Sequence, residues 1–214
     1  MEAATQFEPA RLHLSVHMTP PADIQRFVCQ RFAQEHGAQV AQLLPWQCGL
    51  RDGDGRLLAS AGLRSAASGP LFLEYYLSAP VEQQLAARLQ QPVARHEILE
   101  IGNLAAEKGR ARWLVLSLIR YLAEQRFRYV VFTATDQVQQ LFARVGLAPL
   151  YLQEATPDRV PDPQSWGLYY QHTPQVLAGE IRSGWMQLQA MPRMQALLSQ
   201  LPLGDNDLPG DRGQ

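Results

Sequence analysis

Apolar residues recur along this chain at two spacings, the three-to-four-residue step of a helix and the alternation of a strand, and the two take turns. Leu12 to His17 reads as a short opening strand. Thr19-Pro20-Pro21 is a helix start signal; Ile24, Phe27, Val28 and Phe32 follow at helical spacing until Gly37 stops the run. Gln47 to Arg51 and Arg56 to Arg64 flank Asp52-Gly53-Asp54-Gly55, turn chemistry that predicts a hairpin. A Ser-Ala-Gly loop leads to Gly69, Leu71 to Tyr76 reads as a strand, and Val81 to Gln91 as a helix closed by Pro92.

The middle carries the strongest pattern. Ile98 to Ala105 reads as a strand, Glu107 to Arg110 as a loop, and Ala111 to Gln125 as a helix apolar almost all round, which requires burial against a sheet. Tyr129 to Thr135 is a β-branched and aromatic run, and Asp136 opens a helix from Gln137 to Val145 that Gly146 ends. Trp166 to Gln171 and Gln175 to Gly179 read as two last strands, and Met194, Leu197, Leu198 and Leu201 as a docking helix. The alternation predicts an α/β fold with a mixed sheet: a main domain over 1–180, a helical extension over 181–201, and a polar, disordered tail over 202–214.

Composition narrows the function classes. The 214 residues are 46% hydrophobic and 18% charged, the profile of an ordinary globular protein. A formal net charge of −1 supplies no global field for nucleic acid, and no aromatic-and-basic interleaving points to that partner. Cys29 and Cys48 sit in core-type patterns, and the five histidines show no metal-ligand spacing, so no metal is expected. The first residues are mixed and acidic, unlike a signal peptide, and no apolar run reaches membrane-spanning length; the expectation is a cytoplasmic protein without integral membrane association.

Ala106-Glu107-Lys108-Gly109-Arg110-Ala111 joins a strand to a buried helix, whose unpaired N–H groups and positive dipole end face any anion bound there. Gly109 would let the backbone approach a pyrophosphate, Ala111 would let helix and strand lie close, and Lys108, Arg110 and Arg112 would add charge. An ordinary basic turn is the alternative. With the following Leu141-Phe142-Ala143-Arg144-Val145-Gly146-Leu147, the order resembles the GNAT acyltransferases, whose phosphate loop reads Gln/Arg-x-x-Gly-x-Gly/Ala. Gly109 and Ala111 match that loop and Ala106 departs from it. Phe142 stands where many such enzymes carry a tyrosine that protonates the departing thiolate.

Leu71-Phe72-Leu73-Glu74-Tyr75-Tyr76-Leu77, Glu100-Ile101-Gly102-Asn103-Leu104-Ala105, Phe132-Thr133-Ala134-Thr135 and Trp166-Gly167-Leu168-Tyr169-Tyr170 together resemble the thermostable hemolysin family. That family is similar in pattern to the acyl-homoserine-lactone synthases, which share the GNAT-like fold. Their Glu-x-x-Arg strand is here Glu100-Ile101-Gly102-Asn103, keeping the acid and losing the arginine. The resemblance implies an acyltransferase that uses coenzyme A or a phosphopantetheine-linked donor, with an acyl-carrier protein as a possible partner and a small amine as acceptor.

In this reading Glu100 is the candidate base, with Glu74 and Tyr169 as further catalytic candidates. A salt bridge with Arg64 or Arg95 is the structural alternative for each glutamate, and core packing the alternative for Tyr169. Leu104 and Ala105 would offer backbone N–H groups to the thioester carbonyl, and Arg64, Asn103, Thr133 and Thr135 would contact substrate at strand ends. Two other readings stand beside the enzyme: a membrane-active lysin, as the family name implies, and a non-catalytic acyl-carrier binding protein.

Overall fold

The computed structural model describes residues 12–201. Seven strands form one sheet: β1 (His13–His17), β2 (Trp46–Arg51), β3 (Leu57–Ser65), β4 (Ile98–Ala106), β5 (Tyr129–Ala134), β6 (Leu150–Glu154) and β7 (Gln175–Glu180), in the order β1-β2-β3-β4-β5-β7-β6. Among the described residues only β4 and β5 pair in parallel, joined by the crossover helix α3 (Ala111–Leu122). Every other pairing is antiparallel. The hairpin between β2 and β3 turns where predicted: the Asp52 carboxylate accepts the Asp54 and Arg56 N–H groups at 3.1 and 2.9 Å.

Helices cover both faces. On one side α3 packs with α4 (Asp136–Val145), α5 (Ile181–Ala190) and α6 (Pro192–Leu198) around Leu99, Leu114, Leu116, Leu118, Leu188 and Leu198. The helices of the extension thus contribute to the main core. On the other side α1 (Ala22–His36) buries Ile24 and Val28, while α2 (Val81–Leu89) joins Leu73, Tyr76, Ile98 and Val131. Gly37 ends α1 at φ +64 and returns its N–H to Ala33, as its position after the apolar run demands. Cys48 is fully buried, and Cys29 is half-buried on α1. The tail read for 202–214 lies outside the described residues.

Three elements differ from the sequence reading. Leu71 to Tyr76 is not a strand but a 3-10 turn, Phe72–Tyr75, because the Glu74 carboxylate folds back onto the Leu71 N–H at 2.7 Å and curls the segment. Trp166 to Gln171 is likewise two 3-10 turns, Pro163–Trp166 and Tyr169–His172, separated by Gly167 at φ +54, a backbone that no strand uses. The edge strand β6, which pairs only with β7, had no clear alternation to betray it.

Candidate functional site

The site begins at an irregularity in β4. Ser60 pairs with Ala105 and Gly62 with Gly102, so Asn103 and Leu104 oppose Ala61 alone, a β-bulge with Asn103 at φ +49. The bulge aims the Asn103 amide oxygen at the Leu44 N–H, which it accepts at 2.8 Å. Gly62 is required beneath it, since a Cβ there would lie 2.8 Å from Asn103 Oδ1 and 2.6 Å from Gln47 Nε2. On its other edge β4 pairs with β5 only as far as Ile101 with Phe132. Beyond that pair the two parallel strands separate, and a cavity of about 2100 Å³ is lined by residues from both faces of the sheet.

On the α1 and α2 face, Glu100 sits 4% exposed and accepts the N–H groups of Leu73 at 3.0 Å and Phe72 at 3.4 Å. Burial pushes its carboxyl above the ordinary range, against those two bonds and the Arg64 charge, which pull it down. Arg64 is its direct cross-strand partner on β3, so both side chains leave the same face of the sheet. Phe72, Tyr75, Tyr76, Trp166 and Tyr169 complete this side of the cavity, with ring centroids 5.4 Å apart for Phe72 and Trp166 and 5.2 Å for Trp166 and Tyr169. The Tyr76 and Tyr170 hydroxyls meet at 2.9 Å, and burial raises both phenols.

At the head of α3, Glu107, Lys108, Gly109, Ala111 and Arg112 line the cavity. Gly109 holds φ +78, and a Cβ built there would meet nothing within 4 Å, which leaves the turn open to an approaching ligand. Arg56 holds Glu107 at 2.6 Å and so offsets the one acid in the loop. Arg110 occupies the position before α3, outside the lining, where its carbonyl accepts the Trp113 and Leu114 N–H groups. Arg112 lies over the Trp113 ring at 4.7 Å. Leu104 lines the cavity, whereas Ala105 turns into the core beneath α1.

Through the gap between the strands the lining becomes apolar, with Leu118, Ile119, Leu122, Val130, Met194 and Leu197. Phe132 and Phe142 stack there at 5.0 Å. Thr133 and Thr135 also reach the lining, Thr135 as the residue before α4. Glu74 does not: it lies outside this cavity, bridged to Arg95 at 2.7 Å, and it accepts the Leu71 and Val81 N–H groups. Burial alone would raise its carboxyl, but the Arg95 hydrogen bonds and the two N–H groups outweigh it and lower the pKa to about 2. Glu74 is thus held as a structural ion pair, whereas among the described residues Glu100 makes no salt bridge and meets Arg64 only through its charge.

Two features had escaped sequence reasoning. His36, at the end of α1, packs edge-on to Tyr169 at 5.4 Å and His172 at 5.3 Å and lines the cavity. The aromatic wall was visible only as motif letters; what could have signalled it is the density of rings in Phe72-Leu73-Glu74-Tyr75-Tyr76 and Trp166 to Tyr170. Among the described residues, no group of three or more His, Cys, Asp or Glu could hold a metal ion. Nor is any helix long and apolar enough to cross a membrane.

A mixed sheet with a bulged β4, parted from a parallel β5 above a helix-head loop, defines an α/β fold of the GNAT-like type. The acyl-homoserine-lactone synthase BjaI, solved with SAM and isopentyl-CoA, is similar at a TM-score of 0.57 and 14% identity over 93% of this chain and 95% of that one. The AHL synthase LasI is similar at 0.53 and 15% identity, over 92% and 98%. FeeM, an N-acyl amino acid synthase from uncultured soil microbes, is similar at 0.52 and 13%, over 84% and 96%. No curated protein sequence matches the chain. The pattern of the thermostable hemolysin family matches residues 16–185, and the chain belongs to that family.

Proposed function

We propose that this protein is an N-acyltransferase that moves a fatty acyl group from coenzyme A or an acyl-carrier protein to a small amine in the cytoplasm. The observation that carries the reading is the placing of Glu100, a buried carboxylate of raised pKa, in the same cavity as the open Gly109 turn. Lys108, Arg112 and the first N–H groups of α3 hold the donor's phosphates, and the gap between β4 and β5 takes its pantetheine arm. The apolar lining beyond, from Leu118 to Leu197, takes the acyl chain.

Glu100 accepts a proton from the amine as its nitrogen bonds to the thioester carbonyl carbon. The unpaired backbone of β4 beyond Ile101, near Leu104, supplies donors to the carbonyl oxygen. The carbon–sulfur bond then breaks, and because Phe142 has no proton to give, the thiolate takes its proton from water. Much of the rate comes from holding donor and amine together in one largely apolar cavity. A fatty amide made here is an amphiphile, so the lysis that the family name denotes enters this reading as a property of the product.

The test is mass spectrometry of purified protein incubated with graded acyl-CoA and acyl-carrier donors and a panel of amines. Amide product appearing in step with free thiol supports the reading. Absence of turnover with either class of donor overturns it.

A further inference from the structure

We infer that the acceptor is an α-amino acid with a planar, apolar side chain, its carboxylate held by Arg64, its amine facing Glu100 and its side chain laid on the ring wall of Phe72 and Trp166. The inference rests on the acyltransferase reading and names the class of its acceptor. Arg64 is half-buried in the lining, and among the described residues no hydrogen bond or ion pair engages its guanidinium. A cation placed in an apolar cavity without a partner is costly, and the planar fork of a guanidinium matches a carboxylate in two parallel hydrogen bonds.

Glu100 does not serve as that partner by direct contact, and its own carboxyl is already taken up by the Leu73 and Phe72 N–H groups. Directly opposed residues on paired strands hold their Cβ atoms about 5 Å apart. Arg64 and Glu100 therefore rise side by side from one face of the sheet, a cation and a base that one small molecule can meet together when its amine and carboxylate share a carbon. The third substituent of that carbon is placed by Phe72, whose N–H bonds Glu100 and whose ring is half-buried against Trp166. Tyr75, 50% exposed, extends the ring wall to the surface. The wall offers faces and edges suited to an aromatic or similarly flat group.

The reaction then joins the amino nitrogen to the acyl carbon, releases the donor thiol and leaves the carboxylate on Arg64. The product is an N-acyl amino acid with one negative charge and a single fatty chain.

Phenylalanine and phenethylamine, which differ by the carboxylate alone, are the probes, with palmitoyl-CoA and a palmitoyl carrier protein as donors. The parent should favour phenylalanine by about tenfold or more in kcat/KM, and the ratio should collapse toward one in Arg64→Met and partly recover in Arg64→Lys. Phenylalanine should also be preferred over alanine, and Phe72→Ala should erase that preference.

Acceptor binding without donor, read by calorimetry on the parent and Arg64→Met, separates the two levels of the argument. Arg64-dependent binding of phenylalanine without turnover keeps the acceptor site and overturns acyl transfer. Equal use of phenylalanine and phenethylamine by the parent keeps acyl transfer and overturns the carboxylate anchor. Neither binding nor turnover overturns both.

Discussion

Glu100 takes the Leu73 N–H at 3.0 Å, so the candidate base is oriented by the backbone of a turn that has no place in the sheet. Glu100→Gln keeps an acceptor oxygen for that bond and removes the base. We expect the variant to fold and to lose about a hundredfold or more in kcat. The parent's kcat/KM should climb as pH rises through an inflection above the ordinary carboxyl value of 4.5, because burial raises the group and only the ionised form accepts a proton. That inflection should vanish in Glu100→Gln. A variant that retained both rate and profile would remove Glu100 from the chemistry.

The Glu74–Arg95 bridge is a stability element with the opposite sign. The folded pKa of Glu74, about 2, lies below the ordinary 4.5, so its contribution is complete above 4.5 and is lost as pH falls through about 2. Arg95 also donates to the Ala66 and Gly69 carbonyls and meets Glu82 at 2.6 Å, tying the loop before the turn to α2. Arg95→Ala should cost about 2–4 kcal/mol, less than a fully buried pair. Glu74→Gln should flatten the acid limb of a plot of melting temperature against pH. An unchanged limb would show that other carboxylates govern acid unfolding.

Gly109 separates binding from folding. A valine there has open space around its Cβ but must adopt φ +78, which costs about 1–2 kcal/mol. On the acyltransferase reading its side chain would stand where the donor's phosphates approach. Coenzyme A binding in calorimetry should fall by about tenfold or more while the melt falls only by the few degrees that this strain accounts for, and Arg112→Ala should weaken binding in a salt-dependent way. Arg110→Ala should matter less, since Arg110 lies outside the lining. If Gly109→Val bound the donor like the parent, the turn would not be a phosphate loop.

The run from Ile98 to Gly146 was legible because its period, caps and glycines all reported the same elements, and the loop at Gly109 lay between two of them. Phe72 to Tyr75 and Trp166 to His172 were not, because their geometry rests also on long-range contacts, which in the first turn join the local Glu74 bond to Leu71 as Glu100 takes the Leu73 N–H and Arg95 takes Glu74. The Leu168 N–H reaches the His36 carbonyl at 2.7 Å, and a Cβ at Gly167 would stand 2.1 Å from that oxygen. Such contacts leave no periodic trace. The same holds for the pairing of Arg64 with Glu100, which exists only once β3 and β4 are in register. Gly167→Ala should accordingly be strongly destabilising, by about 3 kcal/mol or more, and a melt within a degree of the parent would refute the close approach.

Leu197 and Ile119 line the apolar end of the cavity from opposing helices, α6 and α3. Leu197→Trp fills volume that a long chain needs, and each excluded methylene is worth about 0.8 kcal/mol of transfer energy. The preferred donor should shorten by several carbons while acetyl transfer is little changed. An unaltered chain-length profile would place the acyl chain elsewhere.

A single fatty chain joined to an anionic head inserts into bilayers by the burial of its methylenes, and a small amide has no fold for heat to destroy. The protein, by contrast, depends on packing that heating removes. Lytic activity should therefore appear only after incubation with acyl donor and amino acid, pass into an organic extract, and survive boiling of that extract. Reactions with Glu100→Gln should yield an inert extract. Erythrocytes exposed to boiled extract, to the parent protein without donor and to the Glu100→Gln reaction make the comparison. Lysis by the parent protein alone, abolished by boiling, would assign the activity to the polypeptide and remove the product from it.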